Sequence, residues 1–162
     1  MASNNAVLTS PLGVMRWPTY GLGQLYRSAH SRIEARLGEV DQSLRTYYVL
    51  ALLSEKSGIS QQEACNRTGL DRGDMVRLID ALEARGHVKR TRDRQDRRRY
   101  RLSLTPRGQT ARKRCDEILA ATTDDVFSEL SFEERRDLHR LVLRALGQPT
   151  EIADELEAPT AE

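Results

Sequence analysis

Cysteine is almost absent from this chain: Cys65 and Cys115 are the two copies, 50 positions apart. They form no CxxC pair and have no histidine cluster beside them, which argues against a disulfide framework and a zinc site. Each reads instead as a buried small hydrophobe. Aromatics are scarce too, at 5%, and 31% of the 162 residues are charged against 38% apolar. That leaves a modest core for the length, so help from a partner chain is expected. Long apolar runs are missing. The longest holds seven residues, Tyr47 to Leu53, against the roughly 20 of a spanning helix, and the N-terminus has no basic-then-apolar signal. No membrane partner is expected, and the expected location is the cytoplasm, at the nucleoid. Enzyme signatures are absent as well: neither GxGxxG nor GxxxxGK[ST] nor HExxH occurs, so no catalytic site is expected. His30, His87 and His139 are dispersed, without a Cys or carboxylate constellation. No metal or other cofactor is expected.

What is present is an uneven charge map. The formal net charge is only +2, yet residues 85–114 hold 13 of the 26 Lys and Arg and only Asp93 and Asp96 among the 24 acids. That segment carries +11 and the remainder −9. A cationic stretch of this density attracts polyanions, and its local character suits a groove-directed element on nucleic acid better than a membrane-coating surface.

Apolar periodicity and caps divide the chain. Residues 1–15 and 147–162 lack a periodic pattern, and the last thirteen hold five acids and no base, so both read as flexible arms. Pro18 suits a first helical turn, with Leu22, Leu25, Tyr26, Ala29, Ile33 and Leu37 following at steps of three and four until Gly38. A second helix covers Leu44–Leu53. Ser60-Gln-Gln-Glu63 has capping-box spacing and opens a short helix that stops at Gly69. Asp71 leads into Arg72–Arg85, with Gly86 as the terminating glycine. In that helix Met75, Leu78, Ile79 and Leu82 share one face and Gly73, Arg77, Asp80 and Ala84 the other. His87–Arg92 and Arg99–Leu104 read as two strands, the second alternating Tyr100, Leu102 and Leu104 with Arg99, Arg101 and Ser103, joined by the polar tip Asp93–Arg98. Thr105-Pro106 starts a long helix with the stripe Ala111, Cys115, Ile118, Leu119, Thr122 and Val126. Ser131-Phe-Glu-Glu134 caps a last helix carrying Leu138, Leu141, Val142, Ala145 and Leu146. The expected fold is mainly α with a small β-hairpin wing: a winged helix-turn-helix with long helices at both ends.

Such a fold offers a helix to the major groove and a basic hairpin to the minor groove of double-stranded DNA. Gly73 and Ala84 keep the exposed face of the helix slim, and Arg77 can donate two hydrogen bonds to guanine. Contact with a phosphate, or pairing with Asp80 or Asp74, is the alternative for Arg77. Arg72, near the helix N-terminus, reads as a phosphate contact, and Ser60 and Gln61 open the preceding helix of the pair. In the wing Arg92, Arg94, Arg97 and Arg98 are the candidate contacts, the tip arginines suiting a narrow A·T-rich minor groove. Asp96 is repelled by DNA, so it is expected to orient an arginine, most simply Arg98.

Asp96-Arg-Arg98, Leu104-Thr105 and Gly108, following Leu82-Glu-Ala-Arg-Gly86, resemble the wing signature of the multiple-antibiotic-resistance regulator (MarR) family. The resemblance covers roughly residues 17–146, and Ser60-Gln-Gln-Glu63 and Asp71-Arg72 resemble the family's helix-turn-helix starts. It implies a domain over 16–146, with a winged helix-turn-helix lobe at about 43–105 and dimerisation helices at 16–38 and 106–146. It also implies a homodimer that represses transcription until a small molecule or oxidant releases it. One departure is Gly73, where the family commonly has serine or threonine, so part of its usual contact is lost or moved. Dimerisation has independent support: the terminal helices carry apolar stripes, and one winged helix reads too few base pairs for specificity.

Five of the eight aromatics, Trp17, Tyr20, Tyr26, Tyr47 and Tyr48, fall in the first two helices, with His30 and Arg45 near them. In MarR-like proteins such residues bind aromatic carboxylates or phenols, so a small aromatic or phenolic ligand is a candidate partner; filling a core or interface is the competing role. The family's redox sensors use a cysteine near the start of the first helix, where this chain has none. Cys115 lies on an apolar stripe, although Arg112 and Arg114 would activate it if exposed. A basic winged-helix module that binds RNA or an acidic protein without ligand control is the second reading of the charge map.

Overall fold

Short polar side chains set where the helices begin. The computed structural model describes residues 12–93 and 100–155, and in it α1 spans Leu12–Met15, α2 Pro18–Gly38 and α3 Leu44–Glu55. Ser43 starts α3: its Oγ accepts the Thr46 N–H at 3.2 Å while Thr46 Oγ1 accepts the Ser43 N–H at 2.8 Å, a reciprocal cap that satisfies two otherwise orphaned donors. After it come β1 (Ile59–Ser60), α4 (Gln61–Thr68) and α5 (Arg72–Ala84). Ser60 caps α4 by accepting the Glu63 N–H at 3.1 Å. The expected return bond from Glu63 is replaced by an ion pair with Lys56 at 2.8 Å, because a nearby cation competes for the carboxylate. Gly69 supplies the left-handed turn, φ +71°, that ends α4 two residues before Asp71 caps α5.

The wing follows as β2 (Val88–Arg92) and β3 (Tyr100–Leu104), then α6 (Pro106–Val126), α7 (Phe132–Ala145) and a 3-10 turn at Glu151–Glu155. β2 and β3 pair antiparallel, Val88 opposite Leu104 and Arg92 opposite Tyr100. The hairpin expected from the alternation is part of a three-stranded sheet in the order β1-β3-β2, since Ile59 pairs with Leu102. Two residues of strand carry no legible periodicity, yet they bury Ile59 completely.

Contacts divide the chain after Ala120. In the first unit Leu50 and Leu53 of α3, Ile59, Met75, Ile79 and Leu82 of α5, and Leu102 of β3 form one core cluster. Truncating one of these, as in Leu82→Ala, removes about 2–5 kcal/mol. A second cluster joins Leu37 of α2, Leu44 of α3 and Cys115 of α6. In the second unit Arg135 closes the turn between α6 and α7, its Nε–H donating to the Phe127 and Leu130 carbonyls at 3.0 Å each. Ser131 and Glu134 form the expected reciprocal cap of α7.

Two stretches expected as arms are ordered in part. Residues 12–15 are helical. The 3-10 turn lies on α7, with Ala153 fully buried and Arg140 donating to Asp154 at 2.6 Å. Among the described residues the apolar stripe of α7 is left partly uncovered: Leu141 is 52% and Leu146 67% exposed. No helix among the described residues is long and apolar enough to cross a membrane.

Candidate nucleic-acid interface

α5 is attached to the core by Met75, Ile79 and Leu82, all fully buried, which turns Arg72, Gly73, Arg77, Asp80 and Ala84 outward. Asp71 fixes the first turn by accepting the Asp74 N–H at 2.9 Å. Of the two carboxylates considered for Arg77, Asp74 is the one it pairs with, while the Arg77 side chain stays 75% exposed. The Asp74 carboxyl also accepts from Arg45 Nη1 at 3.0 Å. The bond from Arg77, with those of Asp71 and Arg45, holds its pKa below the ordinary carboxylate value despite some desolvation. Asp80 is engaged elsewhere, by Arg90 at 2.6 Å.

Beside α5 the start of α4 and the wing enclose a concave surface of about 530 Å³. Ser60, Gln61 and Arg72 line it together, so three of the candidate DNA contacts meet there. Tyr100 lines it as well and is 46% exposed. It does not share the burial of Leu102, with which it falls in step along the strand. Alternation holds for Leu102 and Leu104, but Tyr100 sits opposite Arg92 at the end of the ladder next to the tip, where the strand has left the core. There the Arg92 guanidinium stands 5.9 Å from the Tyr100 ring centroid, a cation–π distance. Arg94, Asp96, Arg97 and Arg98 lie outside the described residues.

The wing is clamped to α5 by Arg90, which donates to Glu83 at 2.5 Å as well as to Asp80. Arg101 bonds Asp93 and the Gly58 carbonyl, both at 2.8 Å. Arg112 and Arg114 pair with Asp116 and Glu117 on α6. Among the described residues of the basic segment Arg90, Arg101, Arg112 and Arg114 are thus in ion pairs, and the cationic face is narrower than the charge map implied.

The seven candidate ligand residues are not gathered in one place. Arg45 faces Asp74 of α5. Tyr26 and His30 pack on each other with ring centroids 5.3 Å apart, and Trp17, 57% exposed, lies under Arg16. Tyr20 accepts from Gln24 at 2.9 Å. Tyr48 lines a shallow groove with Glu55 and Arg67. Tyr47 points the other way and donates to Asp116 Oδ1 at 2.9 Å. Burial, with that bond, pushes its phenol up to about 12. Cys115 is fully buried and its thiol is pushed up to about 11, by burial and then by Asp116, which keeps it protonated and slow to react.

A family model described as the MarR family matches residues 42–99, the stretch from just before α3 to the residue preceding β3. The HTH-type transcriptional regulator BilQ of Clostridium symbiosum is 30% identical over 109 residues, covering 67% of this chain and 75% of BilQ. The chain belongs to the MarR family. A second relative, the HTH-type transcriptional regulator TtmR of Methylorubrum extorquens, is 34% identical over 119 residues, or 74% of this chain; that match spans 56% of TtmR. Among solved structures, the transcriptional repressor CouR bound to a 23-mer DNA duplex superposes with a TM-score of 0.71 at 27% identity, over 83% of this chain and 95% of CouR.

For this MarR-family chain the residues that sequence reasoning missed are Tyr100, Asp74 as an anchor, and Arg90. The opposed acids Asp80 and Glu83 at i and i+3 were a legible signal for a basic partner. Tyr100 had none, because its exposure depends on where the hairpin leaves the core. Gly108, part of the resemblance, has a physical reason in the fold: a Cβ there would stand 2.0 Å from the His87 carbonyl oxygen.

Proposed function

We propose that the protein is a transcription regulator that binds double-stranded DNA sequence-specifically, acting by binding and not by catalysis. The carrying observation is the outward face of α5. A slim, Gly73-bearing surface with an exposed Arg77 stands beside a concavity lined by Ser60, Gln61 and Arg72, at the base of a basic wing. α5 enters the major groove, Arg72 and the start of α4 meet phosphates, and Arg92 with the tip residues Arg94, Arg97 and Arg98 reaches the minor groove, Asp96 orienting Arg98.

The active species is a homodimer. Leu141 and Val142 of α7 and Leu146 just after it are exposed apolar residues that no described residue covers, and two copies read an inverted repeat with half-site centres about 34 Å apart. The outcome is repression, the sense in which its structural relative CouR acts, relieved by a small aromatic or phenolic ligand. In vitro selection from a randomised duplex pool, with the purified full chain, tests the reading. An inverted repeat with centres one helical turn apart is the expected product. Failure to enrich any duplex, or stronger retention of RNA, would overturn it in favour of an RNA- or protein-binding module. Thermal stabilisation by phenols and aromatic carboxylates, with release of the selected duplex, tests the ligand.

A further inference from the structure

The first turn of α5 carries an acid where a DNA-reading helix would be expected to carry only neutral or basic groups. Asp74 is 22% exposed and holds two arginines at once, Arg45 from the start of α3 and Arg77 from the next turn of α5, whose side chains are 60% and 75% exposed. One carboxylate thus ties together two cations that both reach solvent on the proposed DNA face. The missing side chain at Gly73 is part of the arrangement. A Cβ there would lie 3.2 Å from the capping Asp71 Oδ1 and 3.9 Å from Arg77 Nη1, so a hydroxyl-bearing residue would crowd the cap and the space the guanidinium occupies.

We propose that Asp74 is a positioning residue that sets DNA specificity, holding Arg77 in one orientation toward a base edge and Arg45 toward the backbone. This rests on the DNA-binding reading above. An arginine on a free stem has many rotamers and binds any phosphate within reach. Held by a carboxylate, it presents its remaining N–H groups in a fixed fork that suits one acceptor pair. The negative charge also lowers attraction to phosphate in general, so Asp74 raises discrimination by weakening wrong contacts as well as by shaping the right one.

The test compares wild type, Asp74→Asn, Arg77→Ala and the double variant on two duplexes, one selected by the wild-type protein and one scrambled, over a series of salt concentrations. For Asp74→Asn the scrambled duplex is expected to bind several-fold tighter and the selected one no tighter, so that the ratio falls about tenfold. The salt slope steepens by about one phosphate contact, roughly 0.9 in log–log slope. Adding Asp74→Asn to Arg77→Ala should lower the ratio by less than Asp74→Asn does alone, since part of the acid's effect runs through Arg77. Asp74→Glu, which keeps the charge and moves the carboxylate by one methylene, should keep the slope and lose part of the ratio. A ratio within twofold of wild type for Asp74→Asn, or full additivity in the double variant, would overturn the proposal. If the wild type selects no duplex, the DNA-binding reading itself falls, and this inference with it.

Discussion

Gly108 and His87 meet where the wing joins α6, and each makes a sharp demand. A Cβ at 108 would stand 2.0 Å from the His87 carbonyl oxygen, and that oxygen is held in place by accepting the Thr105 N–H at 3.0 Å. Neither side can withdraw cheaply, so Gly108→Ala should cost about 1–3 kcal/mol, read as a lower midpoint in denaturant; an unchanged midpoint would refute the packing. The His87 imidazole is buried, and its Nδ1 finds no partner among the described residues. Burial, then the charges of Arg107 and Arg85, lower its pKa below the ordinary 6.5. The folded chain therefore binds fewer protons here than the unfolded one. Stability from this site is complete above about pH 6.5 and declines as the pH falls through the lowered value. His87→Gln should flatten that part of the stability–pH curve, and a curve of unchanged shape would show that another group titrates. At Arg77 the expectation is for recognition: Arg77→Ala should relax preference at one base pair per half-site by about 1–3 kcal/mol. Equal weakening on every base variant would make Arg77 a phosphate contact.

Among the elements, the wing depends on a contact that lies outside its own ladder. Arg90 of β2 reaches both Asp80 and Glu83 of α5, so the hairpin and the reading helix are tied into one tool. Arg90→Ala should leave the melting transition nearly in place, since both acids are well exposed, while speeding amide exchange in β2 and weakening DNA binding. Unaltered exchange would show that the strand pairing alone holds the wing. The helices were legible because their starts are written in local chemistry. Ser60, Asp71, Thr105 and Ser131 all accept a backbone N–H near the start of the next helix, and Gly69 and Gly86 end α4 and α5. What stayed illegible depended on distant partners. β1 exists because Ile59 meets Leu102, and the side chain of Arg45, grouped by sequence with the aromatics, is turned to α5 by Asp74. Of the candidate interface, Ser60, Gln61 and Arg72 come together in the structure, whereas the proposed ligand residues scatter over several surfaces.

For the whole molecule, the unburied face of α7 decides between a monomer and a pair. Leu141 and Leu146 are more than half exposed, and an apolar helix face of this kind is normally covered. Leu146→Glu is expected to leave α7 helical but to shift sedimentation from dimer to monomer at micromolar concentration, and with it to abolish cooperative binding to an inverted repeat. A wild-type chain that sediments as a monomer would contradict this directly. Two copies would also make the melting temperature depend on protein concentration. The central claim is that the paired winged helices read a defined DNA sequence, and equilibrium competition at one stated salt concentration tests it most directly. The selected inverted-repeat duplex should displace labelled DNA at a concentration roughly a thousandfold lower than random duplex; equal competition by the two would contradict it.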